Sequence, residues 1–173
     1  MPSEIKFSIL AIICIIVTSS ISVAIPYWIT ADYTLQQGET IHEYVGLWKA
    51  CANAPGESVC SSFTDVKDFV NATRGLMITG IILFGISLLF AFRIAGEDSR
   101  ITSANMCIFS LVVGGILLFV AMIVFGTNID DPKGTISYGS AFYLQIPSAV
   151  FAFIAACFVH RSKRSHGYDV IST

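Results

Sequence analysis

Cysteine and histidine are the residues of this chain best suited to redox, metal or nucleophilic chemistry, and their spacing narrows what they can do. The three histidines, His42, His160 and His166, are scattered and have no spacing suited to metal ligation. Cys14, Cys107 and Cys157 fall in or beside long apolar blocks, whereas Cys51 and Cys60 lie in polar chain with eight residues between them. An oxidising compartment joins such a couple as a disulfide. Zinc is the rival reading, but no second cysteine pair or nearby histidine completes a set of ligands. Closing so short a loop contributes about 2–3 kcal/mol in the chain-entropy model. No HExxH, P-loop, GxGxxG or GxSxG motif occurs, and the chain shows no nucleophile–base arrangement of a catalytic kind. The expectation is therefore a protein that is not an enzyme, with no catalytic residue, cofactor or bound metal.

The elements that hold these cysteines are apolar. Hydrophobic residues make up 54% of the 173 residues and charged residues only 13%, where a soluble domain carries roughly 25%. The apolar residues cluster in blocks at 7–26, 75–92, 106–125 and 142–159, each 18 to 20 residues long without an acidic or basic side chain. At about 1.5 Å per residue, each block spans the ~30 Å hydrocarbon core of a bilayer. A lipid bilayer is the first partner implied. The net charge of −2 argues against nucleic acid, which demands basic patches. Ser22-Val23-Ala24 offers a small-residue cleavage site, so a signal peptide is the rival reading of the first block. That block is long for a signal, and only Lys6 supplies basic charge before it.

The even number of spans makes an up-down-up-down bundle with both termini on one side. That side holds Lys6, Arg93, Arg100, Arg161, Lys163 and Arg164, and the other holds Lys49, Lys67, Arg74 and Lys133. The positive-inside rule makes the first side cytoplasmic. The basic run at Arg161, Lys163 and Arg164 should meet anionic headgroups. The loops at 27–74 and 126–141 are then extracellular, and 160–173 is a cytoplasmic tail.

The large loop has strand-forming segments at Tyr27-Trp28-Ile29-Thr30, Tyr44-Val45-Gly46-Leu47-Trp48 and Val59-Cys60-Ser61-Ser62-Phe63, with turn signals at 36–39 and at Pro55-Gly56. A small antiparallel sheet pinned by Cys51 and Cys60 is the economical arrangement. Val66, Phe69 and Val70 suggest a short helix leading into the second span. Trp28 is placed at the bilayer interface as an anchor, and Trp48 against the sheet or the bilayer edge. Arg74, at the mouth of the second span, is expected to pair with an extracellular carboxylate, Asp65 and Asp68 lying nearby, with snorkelling to headgroups as the alternative. Acidic residues outnumber basic ones on this side, which would favour cations in a passage lined by it. Asn71-Ala72-Thr73 fits the N-glycosylation pattern, with a cap or hydrogen-bonding role for Asn71 as the rival.

Gly46-Leu47-Trp48, followed by Cys51 and Cys60 and preceded by Trp28, resembles the pattern of the claudin superfamily. Arg74 matches that family's arginine at the start of the second span, and Ser137-Tyr138-Gly139-Ser140-Ala141-Phe142-Tyr143 is similar to its approach to the fourth. The superfamily holds claudins, peripheral myelin and epithelial membrane proteins, the lens fibre membrane protein and channel gamma subunits. The resemblance implies a left-handed membrane bundle, all-α apart from its outer sheet, formed as one domain over 1–173. It also implies association in cis and trans with further copies or other claudin-like proteins at plasma-membrane cell contacts. An auxiliary subunit of an ion channel or receptor is the alternative function. The chain ends Asp169-Val170-Ile171-Ser172-Thr173, departing from the Tyr-Val ending that enters PDZ scaffolds, so that attachment is not carried over.

Within the membrane, Ser110 and Gly114, and Ser148, Ala152 and Ala156, are spaced four apart and permit close helix approach. Pro147 could kink the fourth span. No ionisable side chain lies mid-span, against a proton-coupled transporter. Cys14 is expected as a packing residue. Cys107 and Cys157, near cytoplasmic helix ends, are candidates for palmitoylation, with an inert thiol as the alternative.

Overall fold

The computed structural model describes residues 3–34, 40–54, 57–63, 65–96, 100–129 and 136–169. The turns expected at 36–39 and at Pro55-Gly56, the charges Asp130, Asp131 and Lys133, and the ending at 170–173 lie outside the described residues. Helices α1 (Ser3–Ala24), α2 (Asp68–Ala95), α3 (Arg100–Thr127) and α4 (Ser140–Asp169) carry the apolar blocks. All four are long and apolar enough to cross a membrane. In lipid the backbone must satisfy its own polar groups, so these blocks have no extended alternative.

Three of the helices run well past their blocks, because a helix continues wherever its backbone is satisfied and only the apolar part needs lipid. α2 begins at Asp68, whose carboxylate suits a helix N-terminus, and has Arg93 in its last turn. The short helix expected around 66–70, leading into the second span, is the first turn of α2, which begins at Asp68. Likewise the tail expected from 160 continues as helix to Asp169.

Each helix packs against two neighbours in a closed ring: α1 on α2, α2 on α3, α3 on α4, and α4 on α1. The buried positions explain why. On α1 they are Ile5, Ser8, Ile12, Ile15, Ser19 and Ser22. On α2 they are Thr73, Met77, Gly80, Phe84, Ser87, Ala91 and Ile94. Both series alternate steps of three and four, a heptad period. The same steps link Ala104, Cys107, Leu111, Leu118, Ala121 and Phe125 on α3, with Gly114 completing the series. They also link Ala141, Gln145, Ser148, Ala152, Ala155 and Val159 on α4. A 3.5-residue period keeps one stripe facing its partner only if the helices supercoil to the left. The small residues singled out by spacing, Ser110, Ser148, Ala152 and Ala156, are all buried at these seams. Cys14 is the exception to expectation. It is exposed, one step off the buried stripe, and faces away from the bundle.

At one end of the bundle sits a five-stranded antiparallel sheet in the order β4-β3-β2-β1-β5. Its strands are β1 (Ile29–Thr34), β2 (Thr40–Val45), β3 (Lys49–Ala54), β4 (Glu57–Ser62) and β5 (Ile136–Tyr138). The fifth strand comes from the second loop and pairs Ile29 with Tyr138 and Ala31 with Ile136. Both outer loops thus build one sheet, which the first loop alone had been expected to form. α1 enters the sheet from its C-terminal end and α4 leaves it from its N-terminal end. The start of α1 and the end of α4 therefore lie at the far end of the bundle, where Lys163 Nζ donates to Asn105 Oδ1 at 2.7 Å.

Candidate functional site

The features that carry potential function meet where the sheet joins the bundle. Trp28 lies between the end of α1 and the start of β1 and is completely buried. Its indole N–H donates to the Ser22 carbonyl at 2.8 Å. Its ring meets Phe125 of α3 edge-on with centroids 4.8 Å apart, and Phe142 of α4 at 6.0 Å. The expected interfacial anchor is instead a wedge between three helices. Its large apolar surface gains more from the apolar bundle mouth than from headgroups, and the Ser22 carbonyl satisfies its one polar atom.

The corner between β2 and β3 closes over this wedge. The Gly46 N–H donates to the Lys49 carbonyl at 2.9 Å, and the Trp28 N–H to the Val45 carbonyl at 3.0 Å. A Cβ on Gly46 would sit 2.5 Å from the Pro26 Cα, so only glycine permits this approach. Leu47 is fully buried, while Trp48 remains 42% exposed. On the other side the Gly139 N–H donates to the Trp28 carbonyl and the Ala141 N–H to the Tyr27 carbonyl, each at 2.9 Å.

Arg74 of α2 fastens the corner. Its Nε donates to the Leu47 carbonyl at 2.9 Å, and Nη2 donates to the same oxygen. Nη1 donates to Asn71 Oδ1 at 2.9 Å. The guanidinium carbon also lies 4.5 Å from the centre of the Trp48 ring, a cation–π distance. The expected ion pair with Asp65 or Asp68 does not form. Leu47 presents a carbonyl that has no strand partner, and the guanidinium fork suits it. Asn71 is thus exposed and hydrogen-bonded through its oxygen.

Cys51 of β3 stands directly opposite Cys60 of β4 and is joined to it by a disulfide, with Cα atoms 4.1 Å apart. Such separation is that of a closely spaced antiparallel pair. The bond holds β4, whose six residues are all exposed, to the rest of the sheet. On the same sheet face, Asp32 of β1 lies opposite His42 of β2, and Oδ1 is 2.6 Å from Nδ1. Both side chains are at least half exposed, so solvent screens the pair. Beneath the opposite face is a cavity of about 340 Å³, lined by Ile29, Val45, Phe69, Val70 and Phe125 with Asp65 and Lys67 among its polar residues.

The structure brings Trp28, Gly46, Leu47, Trp48 and Arg74 into this single clasp and leaves the disulfide further out on the sheet. The two candidate palmitoylation cysteines differ. Cys107 is wholly buried, and its thiol donates to the Ser87 carbonyl of α2 at 3.4 Å, so it is corrected to a packing residue. Cys157 is exposed. Gly139 and Phe142, part of the family-like run before the fourth span, also shape the clasp, as does Ser22, which the sequence marked only as a possible cleavage site. Phe125 was not singled out from sequence, and its place at the end of an apolar block was the signal that could have marked it.

A family model for the PMP-22/EMP/MP20/Claudin family matches residues 1–159. Human Claudin-18 is 29% identical over 150 residues, an alignment covering 76% of this chain and 57% of that protein. The chain thus spans little more than half the length of this curated relative. With a match over residues 1–159, four spans and the disulfide-pinned sheet, the chain is a multi-pass membrane protein that belongs to the PMP-22/EMP/MP20/Claudin family.

Proposed function

We propose that this protein organises or seals contacts between cells, assembling in cis and in trans through the surface of its outer sheet. The observation that carries this is the division of labour at the sheet. The clasp around Trp28 and Arg74 fixes the sheet to the bundle, while β4 and much of the outward face stay exposed. A rigidly presented surface loses little freedom on association. The orientation that fits is sheet outside and both termini in the cytoplasm. Lys6, Arg93, Arg161, Lys163 and Arg164 belong to the end away from the sheet, in line with the positive-inside rule.

The permeability that fits is cation-tolerant. Asp32, Glu57, Asp65 and Asp68 are exposed on the sheet side against exposed Lys49 and Lys67, and Arg74 is occupied in the clasp. N-glycosylation of Asn71 and acylation of Cys157 belong to the same proposal, since both side chains are exposed.

Expression in cells that lack junctions tests the proposal. The protein should concentrate at cell–cell borders and change adhesion or transepithelial resistance, with sodium permeating more readily than chloride. Uniform surface distribution with unchanged resistance overturns it. So does a stoichiometric channel partner in mild-detergent preparations without contact enrichment, the outcome that supports an auxiliary-subunit role.

A further inference from the structure

The seam between α1 and α4 is polar near its sheet end. The two helices run antiparallel, and their side chains meet in matched steps. At the far end the Phe7 ring meets the Phe158 ring with centroids 4.7 Å apart. Nearer the sheet, the hydroxyls of Thr18 and Ser148 lie 2.9 Å apart. One step on, Gln145 Nε2 donates to the Ser19 carbonyl at 3.4 Å. Next, Ser22 Oγ donates to the Ala141 carbonyl at 2.8 Å. The Ser22 carbonyl in turn accepts from Trp28 Nε1. Hydrogen bonds therefore set the register of α1 on α4 and pass it to the wedge beneath the sheet.

The middle step is incomplete. Ser19 and Gln145 are both completely buried. Ser19 Oγ and Gln145 Oε1 are nevertheless without a hydrogen-bond partner. Buried polar groups are almost always paired, by protein or by an ordered water. In a membrane protein the surrounding lipid offers no substitute. The two orphans belong to residues already in contact with each other, and their chemistry is complementary. Ser19 Oγ carries a hydrogen to donate, and Gln145 Oε1 can only accept. The Gln145 amide cannot answer this by turning over, because its nitrogen would then leave the Ser19 carbonyl and its oxygen would face another oxygen.

We propose that this step of the α1–α4 seam is an internal water site. One water molecule accepts from Ser19 Oγ and donates to Gln145 Oε1, completing the hydrogen-bonded register from Thr18 to Trp28. The site lies about one and a half helical turns from the start of α4, close enough to the membrane boundary for water to exchange.

Water-edited solid-state NMR of the full chain in lipid bilayers tests this. Magnetisation from water should reach the Gln145 side-chain amide and the Ser19 Cβ several-fold faster than Ile15 and Ala149, their buried neighbours. In Gln145→Leu the transfer to Ser19 should fall to the level of those neighbours. The site is ruled out if Gln145 in the unaltered protein receives water magnetisation no faster than Ala149. It is equally ruled out if a bilayer structure places Ser19 Oγ on the Ile15 carbonyl with no density beside Gln145 Oε1. Because the first comparison uses the unaltered chain, failure of Gln145→Leu to fold leaves the outcome decisive.

Discussion

Arg74 Nε donates to the Leu47 carbonyl oxygen at 2.9 Å, joining the first helical turns of α2 to the corner of the sheet across 27 residues of chain. The oxygen receives a second donor from the same guanidinium. The charge therefore acts by satisfying a backbone group, with Trp48 stacked alongside. Arg74→Ala should destabilise the folded protein by about 1.5–3 kcal/mol, the range for hydrogen bonds to a charged group. Arg74→Lys should recover part of this, because an ammonium keeps the charge but lacks the planar fork. Thermal unfolding in detergent would rank the variants. Equal stability of Arg74→Ala and the unaltered protein would mean that the corner holds without it.

The disulfide joins two residues that are already cross-strand neighbours. Its work is to keep β4 on the edge of the sheet. Cys51→Ala and Cys60→Ala should each lower stability by about 2–3 kcal/mol, and the double variant should be no worse than either. Each single variant should impair surface delivery equally. An additive loss in the double variant would show separate roles for the two thiols.

Cys107 and Cys157 lie on neighbouring helices but differ in access. Cys107 is buried against Ser87, and Cys157 faces outward from α4. A thiol reagent added to the native protein in detergent should modify Cys157 well ahead of Cys107, which should react only on unfolding. If the protein is acylated in cells, capture of the thioester-linked fraction should vanish with Cys157→Ser and persist with Cys107→Ser. Loss with Cys107→Ser alone would place the acyl group on a residue the fold hides.

Much of the fold was legible because lipid is a severe selector. Apolar blocks of about 20 residues admit little besides membrane helices. Cys51 and Cys60 were legible as a pair because they stood apart from the other cysteines. The helix ends were less legible. Hydropathy reports which residues favour lipid, whereas α2 and α4 continue into polar sequence on backbone hydrogen bonds and on contacts such as Phe69 with Phe125 and Lys163 with Asn105. The heptad seams were hidden too, since in blocks apolar on every side a buried alanine and an exposed leucine look alike.

The candidate site divides along the same line. Residue type and order by themselves determined four spans, a sheet-bearing outer loop, a cysteine staple and the family pattern around Trp28, Gly46, Leu47, Trp48 and Arg74. Only the tertiary structure decided what those residues do. It buried Trp28 under Phe125 and Phe142, turned Arg74 from Asp65 and Asp68 to the Leu47 carbonyl, and brought β5 from a distant loop onto β1. The physical reason is that each outcome depends on which backbone groups remain unpaired and which surfaces remain uncovered once the helices have packed. Those quantities belong to the assembled chain and not to any segment of it.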